Sequence, residues 1–470
     1  MCYFLTPLLI ISLALLAATV LDWDADLTWH DQHRIEQIIL LGVMAFGVLS
    51  IWRQDFAASI MRLPGWVRMA LAWAFGLGLV SAIMASYPRL AALEWATLVL
   101  LLGLGLVLAG RAWLGGVTFD TWATRLVVAL AAVIALKIMT AYLAAMIAMG
   151  HLDTIMLFEG TFSNRRFFGQ VASMLVPLLV YPLLFGGLSK YARVAVFALL
   201  AMWWMLVIVS GTRGTWAALL LASVILALWA WRAVWPWLKL QLGAFSLGAL
   251  LFLVLFVWLP WLVGRGASIE GRLSHLSALN GRAELWTLAW AQIQEHPWLG
   301  IGPMHLAAIR NNFGAHPHNA ALQIAAEWGV PATLALILPA TAGMLHLLAR
   351  LRQREVAPNV LLVCLTASLL AAGVQSMVDG VIVIPYTQTL LALVAGWALG
   401  VYFRDVAVTP VILGSHKMRL IIPVLSMLAL AALLNGVFPE VLNRAEVTQA
   451  YVNAGNLLIP PRYWAVGWIP

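Results

Sequence analysis

The chain has 470 residues, of which 63% are hydrophobic and only 10% charged, with a formal net charge of +8. A mean hydropathy of +0.95 excludes an ordinary soluble domain. The positive balance does not call for nucleic acid, because basic residues of membrane proteins gather on cytoplasmic loops. The two cysteines, Cys2 and Cys364, lie on separate predicted elements and build neither a disulfide framework nor a zinc site.

Apolar runs of roughly 17–25 residues recur along the chain, the length that crosses hydrocarbon as helix. Lipid admits only helix bundles or closed barrels. Barrels need alternating strands of about 10 residues, whereas these runs are continuous. The fold class is therefore all-α, a polytopic membrane protein with about 12–13 transmembrane helices. The predicted spans are 4–21, 35–51, 69–86, 91–110, 126–148, 168–186, 193–210, 215–231, 243–262, 331–349, 360–377, 386–403 and 419–436. The first, Phe4–Leu21, lacks a basic n-region and a small-residue cleavage site, so it reads as a retained span that also targets the chain. Residues 1–470 form a single integral membrane domain without internal repeats.

Orientation follows from the short loops. Arg53/Arg62/Arg68, Arg111/Arg125, Lys190/Arg193, Arg232/Lys239, Arg350/Arg352/Arg354 and Arg404/Lys417/Arg419 all fall on one side, which the positive-inside rule makes cytoplasmic. The opposite side holds 22–34, 149–167, the turn at 211–214, a long loop at 263–330, the turn at 378–385 and a short tail at 437–470. The long loop is a polar island carrying Arg265, Arg272, Arg282 and Arg310 and the string AHPHNAALQIAAEWG. Within it, Arg282–Glu295 places Trp286, Ala289, Trp290 and Ile293 on one face of an amphipathic helix. A second short helix is expected from about Pro317, which suits a first turn, to Trp328, with Gly329 at its C′ position.

Arginines on the outer side have no positive-inside explanation, and these are Arg165, Arg166, Arg213, Arg265, Arg272, Arg282 and Arg310. Arg213 stands out, because SGTRGTW is a turn too short to be a solvated loop. Near lipid an arginine is costly and usually faces a bundle interior, a cavity or a partner, although snorkelling to headgroups is the plainer alternative. Its fork of donors suits phosphate oxygens. His316 and His318 flank the start of the second short helix, whose dipole disfavours imidazolium. A neutral His318 is then ready to accept a proton, and the same helix end favours an anion. Glu327 lies nine residues after His318 and can pair with an arginine. Asp22, Asp24 and Asp26 read as a solvated cluster rather than a metal site. Lys137 falls in mid-span, where an ammonium is expensive. Trp286, Trp290 and Trp328 are the tryptophans able to stack on sugars, against the commoner interfacial belt.

These residues resemble the O-antigen ligase and polymerase superfamily of bacterial envelope glycosyltransferases. The ligase pattern of His, then Asn, Ser or Gln, nine residues and Gly-x-x-Gly is similar to His318, Asn319, Ala320–Trp328, Gly329, Val330 and Pro331, with Ala332 in the last place. The family's arginine in a short periplasmic turn matches Arg213, and its arginine in the large periplasmic loop matches Arg282. The Ser163–Gln170 string SNRRFFGQ also looks like the family. The resemblance implies a C-type glycosyltransferase membrane fold in the bacterial inner membrane, with its active site facing the periplasm. It implies transfer of a preassembled glycan from undecaprenyl diphosphate to lipid A–core, with no cofactor, nucleotide sugar, ATP or metal. His318, Arg213 and Arg282 are then the expected catalytic residues. Arg166, Arg165, Gln170, His316, Asn319 and Glu327 are expected to bind the donor diphosphate or glycan. A protein serine or threonine, or a growing glycan, are the alternative acceptors. A lipid or glycan transporter is the rival of another class, and it predicts paired repeats and broken midplane helices that the sequence does not display.

Overall fold

Among the described residues the long apolar runs form helix, and polar caps mark where several of them begin. The computed structural model describes residues 2–148, 151–154, 156–264, 266–267, 281–353, 359–405, 416–456 and 459–469. The helices are α1 (Cys2–Val20), α2 (Trp29–Leu49), α3 (Arg53–Arg62), α4 (Gly65–Met84), α5 (Pro88–Ala148), α6 (Met156–Phe162), α7 (Arg165–Leu178), α8 (Tyr181–Phe185) and α9 (Lys190–Ser210). They continue with α10 (Arg213–Phe252), α11 (Leu259–Leu262), α12 (Arg282–Glu295), α13 (Ala320–Trp328), α14 (Val330–Arg352), α15 (Val360–Ser376), α16 (Pro385–Asp405), α17 (His416–Val441) and α18 (Arg444–Asn453). Thr28, Asn164, Ser189, Asn319 and Asn359 each cap a helix start by accepting a backbone N–H. The only extended pairing among the described residues joins 151–152 to 266–267. The protein is an all-α polytopic membrane protein.

Among the described residues eight helices are long and apolar enough to cross a membrane, or nine if the pair α2 and α3, bent by 87°, counts as one span. Two of the eight are of double length. The 61-residue α5 is broken at Gly116, whose φ is 51°, and the 50-residue helix Arg213–Leu262 is broken at Ala230. A span needs about 20 residues, so each contains two. With the shorter apolar helices Thr6–Val20 and Val360–Ser376, every predicted span falls on helix. The break at Gly116 lies in the predicted connection at 111–125, whereas that at Ala230 falls in the last residues of the predicted span 215–231, and the expected turn at 232–242 is helical. The bundle is built around α5, which packs on α16, α17 and α1, and around α10, which packs on α9 and α15.

The two sets of loops separate as the charge pattern requires. At one end, Asp55 pairs with Arg111 at 2.8 Å, and both oxygens of Asp120 accept from Arg404 at 2.8 Å. There too Arg350 donates to the Asp405 carbonyl, and the Arg62 guanidinium sits 3.5 Å from the Trp113 ring centre. At the other end, the turn before α5 joins the loops expected there, with the Tyr87 N–H donating to His305 at 3.0 Å.

That second end is locked by two buried guanidiniums. Arg34 is 1% exposed and donates to the Tyr463 carbonyl at 2.8 Å, to Gln388 at 2.9 Å and to the Val383 carbonyl at 2.6 Å. Arg462, 2% exposed, donates to Glu94 at 2.8 Å and to Glu327 at 2.5 Å. One guanidinium thus serves two carboxyl groups. Burial and Glu94 push Glu327 upward, while Arg462 pulls it down. The Ala465 N–H donates to buried Asp31 at 2.7 Å, so the tail is built into this end of the bundle.

Several expectations are corrected here. The second island helix starts at Ala320, not near Pro317, because Asn319 caps it and His318 has a left-handed φ of 52° that no helix continues. Trp290 is 55% exposed, and the buried face of α12 is Leu285, Ala289 and Ile293. Trp328 is 2% exposed and packs edge-on against Phe75, so it is a core residue rather than a sugar platform. Lys137 finds its partner in a carbonyl: it donates to Thr19 O at 3.1 Å, in the last turn of α1, where a cation complements the helix dipole. In the DWDAD stretch, Asp22 accepts from Gln32 at 2.6 Å and Asp24 accepts from the Asp26 N–H at 3.0 Å, which shapes a turn.

Arg462→Ala should lower stability by about 3–5 kcal/mol, the cost of stranding buried partners of an ion pair. Glu327→Gln should cost less, since it leaves Arg462 its bond to Glu94. Thermal unfolding of the detergent-solubilised protein checks this, and a wild-type melting temperature for Arg462→Ala would contradict it.

Candidate active site

A cation at a helix N-terminus opposes the helix dipole, so it is normally avoided there. Several helices on this end of the bundle start with one, and three of them converge. Arg166 is the second residue of α7, Arg213 the first of α10 and Arg282 the first of α12. His318 precedes the cap of α13. Gly169 sets the distance between the first two helices, because a Cβ there would lie 2.2 Å from Thr215 Oγ1 and 2.8 Å from Thr212 Oγ1. Gln375, at the end of α15, donates to Thr215 Oγ1 at 3.2 Å and ties that junction to the next loop. Arg282 lies within electrostatic reach of the others. Burial first, then Arg166 and Arg213, lower its pKa, and Asp379 raises it. Its Nε is buried without a hydrogen-bond partner. A backbone N–H cluster reinforced by guanidiniums is an anion site.

His318 completes the group. Its backbone N–H donates to His316 Nδ1 at 3.3 Å, and the two rings lie 4.1 Å apart. His316 is buried against Gly380, where a Cβ would come within 2.8 Å of its Cε1. The His318 Nδ1 is 4.0 Å from Asp379 Oδ1, which is ion-pair distance but too long for a hydrogen bond. Nδ1 is accordingly a buried atom with no hydrogen-bond partner. Asp379 is fixed by the Gly380 N–H at 2.8 Å and by Gln375 at 3.5 Å. Burial raises its pKa, and the Gly380 N–H, Arg166, Gln170 and Arg282 pull it down. Burial, then Arg166 and Arg282, lower His318 to about 3. The imidazole is neutral at physiological pH, as the sequence leads one to expect. The principal cause is desolvation and flanking guanidiniums, where the sequence pointed to the helix dipole.

The structure thus brings Arg166, Arg213, Arg282 and His318 into one neighbourhood, with Arg165 beside Arg166 at the start of α7. Gln170 is fully buried, and its Oε1 accepts from Thr387 at 3.1 Å, so it braces α7 against α16. Asn319 caps α13 and donates to the Met377 carbonyl at 3.1 Å, which ties α13 to the end of α15. His316 underpins His318. Glu327 is 1% exposed and occupied by Arg462, and Arg310 reaches the tail at the Ile469 carbonyl. Arg265 and Arg272 lie outside the described residues. The Trp286 N–H donates to the Pro317 carbonyl at 2.9 Å and anchors α12 to the histidine segment.

Asp379 is the residue that sequence reasoning missed. A signal was available: Asp-Gly in the short turn 378–385, expected on the same side as Arg213, is a lone acid in a place as confined. Together these groups offer a preorganised anion clamp beside a neutral base, the equipment for displacing an anionic leaving group by a hydroxyl.

Residues 195–337 match the protein-family model described as O-antigen ligase. That segment holds Arg213, Arg282 and His318, while Arg166 and Asp379 lie outside it. No curated protein matches the chain.

In ligand-free protein His318 should not titrate between about pH 5 and 8. Replacing Arg166 and Arg282 together by Met should raise its pKa. Histidine-selective NMR on the solubilised protein, assigned through His318→Gln, reads this directly. Ordinary titration near the value of a free histidine in the wild type would refute this.

Proposed function

We propose, from the match of residues 195–337 to the family model described as O-antigen ligase, that the protein is an O-antigen ligase. The family carries a ligase or polymerase-type activity on polysaccharide and lipid-linked substrates in a membrane. The finer reading is transfer of a preassembled O-antigen from undecaprenyl diphosphate to a sugar hydroxyl of lipid A–core, at the periplasmic face of the inner membrane. The observation that carries it is the set of three arginines at three helix N-termini around a neutral histidine.

The acceptor oxygen attacks the anomeric carbon of the first donor sugar. The bond from that carbon to the diphosphate oxygen breaks, and the pair of electrons leaves with undecaprenyl diphosphate. Arg213 and Arg282, supported by Arg166, bind the diphosphate and stabilise its growing charge. His318 takes the acceptor proton as it is lost. Asp379 faces Nδ1, which favours the tautomer with Nδ1 protonated and leaves Nε2 to act as base. Direct displacement inverts the anomeric centre. The arginines supply the charge neutralisation that a divalent ion provides in other transferases, so a metal is not required. A growing glycan, or a protein serine or threonine, fits the same chemistry and differs only in what delivers the hydroxyl.

His318→Ala should reduce transfer by about 10²–10⁴-fold, the usual contribution of a general base, with donor binding retained. Arg213→Ala should cost about 2–4 kcal/mol of transition-state stabilisation. Purified protein, lipid-linked glycan, and lipid A–core or a pilin-like protein as acceptor make the assay. Wild-type turnover in His318→Ala, or loss of activity in EDTA restored by a divalent ion, would overturn the mechanism. Transfer to the protein acceptor alone would overturn the choice of acceptor.

A further inference from the structure

A second polar cleft lies on the same end of the molecule, walled by the tail. Its volume is about 480 Å³, and it is lined by Tyr87, Arg89, Arg310, Arg444, Trp464 and Trp468, with Glu440 beneath. This is within the size range of small-molecule sites. Glu440 is shared by Arg89 at 2.5 Å and Arg444 at 3.1 Å. Three guanidiniums against one carboxylate leave this lining with two positive charges. The arginines are paired with indoles: Arg444 lies 5.2 Å from the Trp464 ring centre and Arg310 5.2 Å from that of Trp468. Trp464 is 2% exposed, and its ring N–H is buried with no acceptor. An unsatisfied buried donor is costly and calls for a partner.

The tail segment 459–469 separates this cleft from the His318 group. It is folded back on itself by the Arg462 N–H to the Trp464 carbonyl at 2.9 Å and the Gly467 N–H to the Pro460 carbonyl at 3.0 Å. Arg462 and Tyr463 turn inward, to Glu327 and Arg34. Trp464 and Trp468 face the cleft. The Ile469 N–H donates to the Ala307 carbonyl at 3.3 Å, so the island and the tail build the wall together.

We infer that this cleft binds an anionic, phosphate-bearing saccharide of the acceptor. The inference rests on the transferase reading above and adds the charge that the acceptor carries. Guanidiniums donate bidentately to phosphate oxygens. The half-buried Trp468 indole presents apolar area and Trp464, at the wall, an N–H without an acceptor, which together match the C–H face and a hydroxyl of a sugar. A bare phosphate uses the arginines alone, and an anionic lipid headgroup shares the phosphate without the ring.

The test measures binding by full-length protein in phosphatidylcholine nanodiscs. The probes are a hexosamine disaccharide phosphate, the same disaccharide dephosphorylated, inorganic phosphate, and phosphatidylglycerol added to the nanodisc as competitor. Wild type and His318→Ala should bind the phosphorylated disaccharide alike. Arg310→Glu and Trp468→Ala should each weaken it about tenfold or more, as loss of a contact to a charged group does. In the transfer assay the same two variants should raise KM for a phosphorylated acceptor and leave kcat and the donor KM unchanged. Equal binding of both disaccharides, equal binding by Arg310→Glu, or displacement by phosphatidylglycerol would overturn the inference. If the cleft variants lose binding while no acceptor is ever glycosylated, the cleft stands and the transferase reading falls.

Discussion

A helix inside hydrocarbon must satisfy its backbone within itself, and only its ends keep free donors and acceptors. This constraint decides where the protein can hold reactive groups. Arg166, Arg213, Arg282 and His318 all sit at helix beginnings, and Asp379 follows the end of α15. The bundle therefore acts as a frame whose rims carry the chemistry. The unfavourable pairing of arginine with a helix N-terminus is tolerated because the two together are stronger toward an anion than either alone.

Helix ends are only useful if they are held in register, and the rim does this with buried polar bonds. Arg34 draws α2, the start of α16 and the tail onto one guanidinium. Arg462 joins the tail to α5 and α13. Gln375 and Gln170 do the same between α15, α10, α7 and α16. None of these bonds touches the His318 ring. They fix the backbone from which it and the arginines project, so the stability of the rim and the geometry of the site are one problem.

The helical architecture was readable in the sequence because hydrophobic length is imposed by the bilayer rather than by packing. Arg213, Arg282 and His318 were readable because charge in an apolar chain is conspicuous. The supporting set was hidden for physical reasons. Arg34 and Arg462 sit in ordinary polar flanks, and only the fold reveals that they are buried. Gln170 and Asn319 were expected to bind the donor, and in the structure they join elements far apart in the chain. The start of α13 was misplaced because proline marked a first turn, whereas the capping side chain belongs to Asn319. Trp328 looked like an outer aromatic because its helix lies in the island, and the island dips back onto α4.

The ion pair between Arg462 and Glu94 spans 368 residues of sequence. This has a bearing on biogenesis. A chain threaded into the bilayer from its N-terminus places Glu94 early and Glu327 later, and both acids wait there without their counter-charge. Arg462, synthesised after both acids, brings the counter-charge and closes the rim. Insertion and closure of this rim are thus separable: the helices that carry the acids can be in place while that end is still open, and one later side chain joins them.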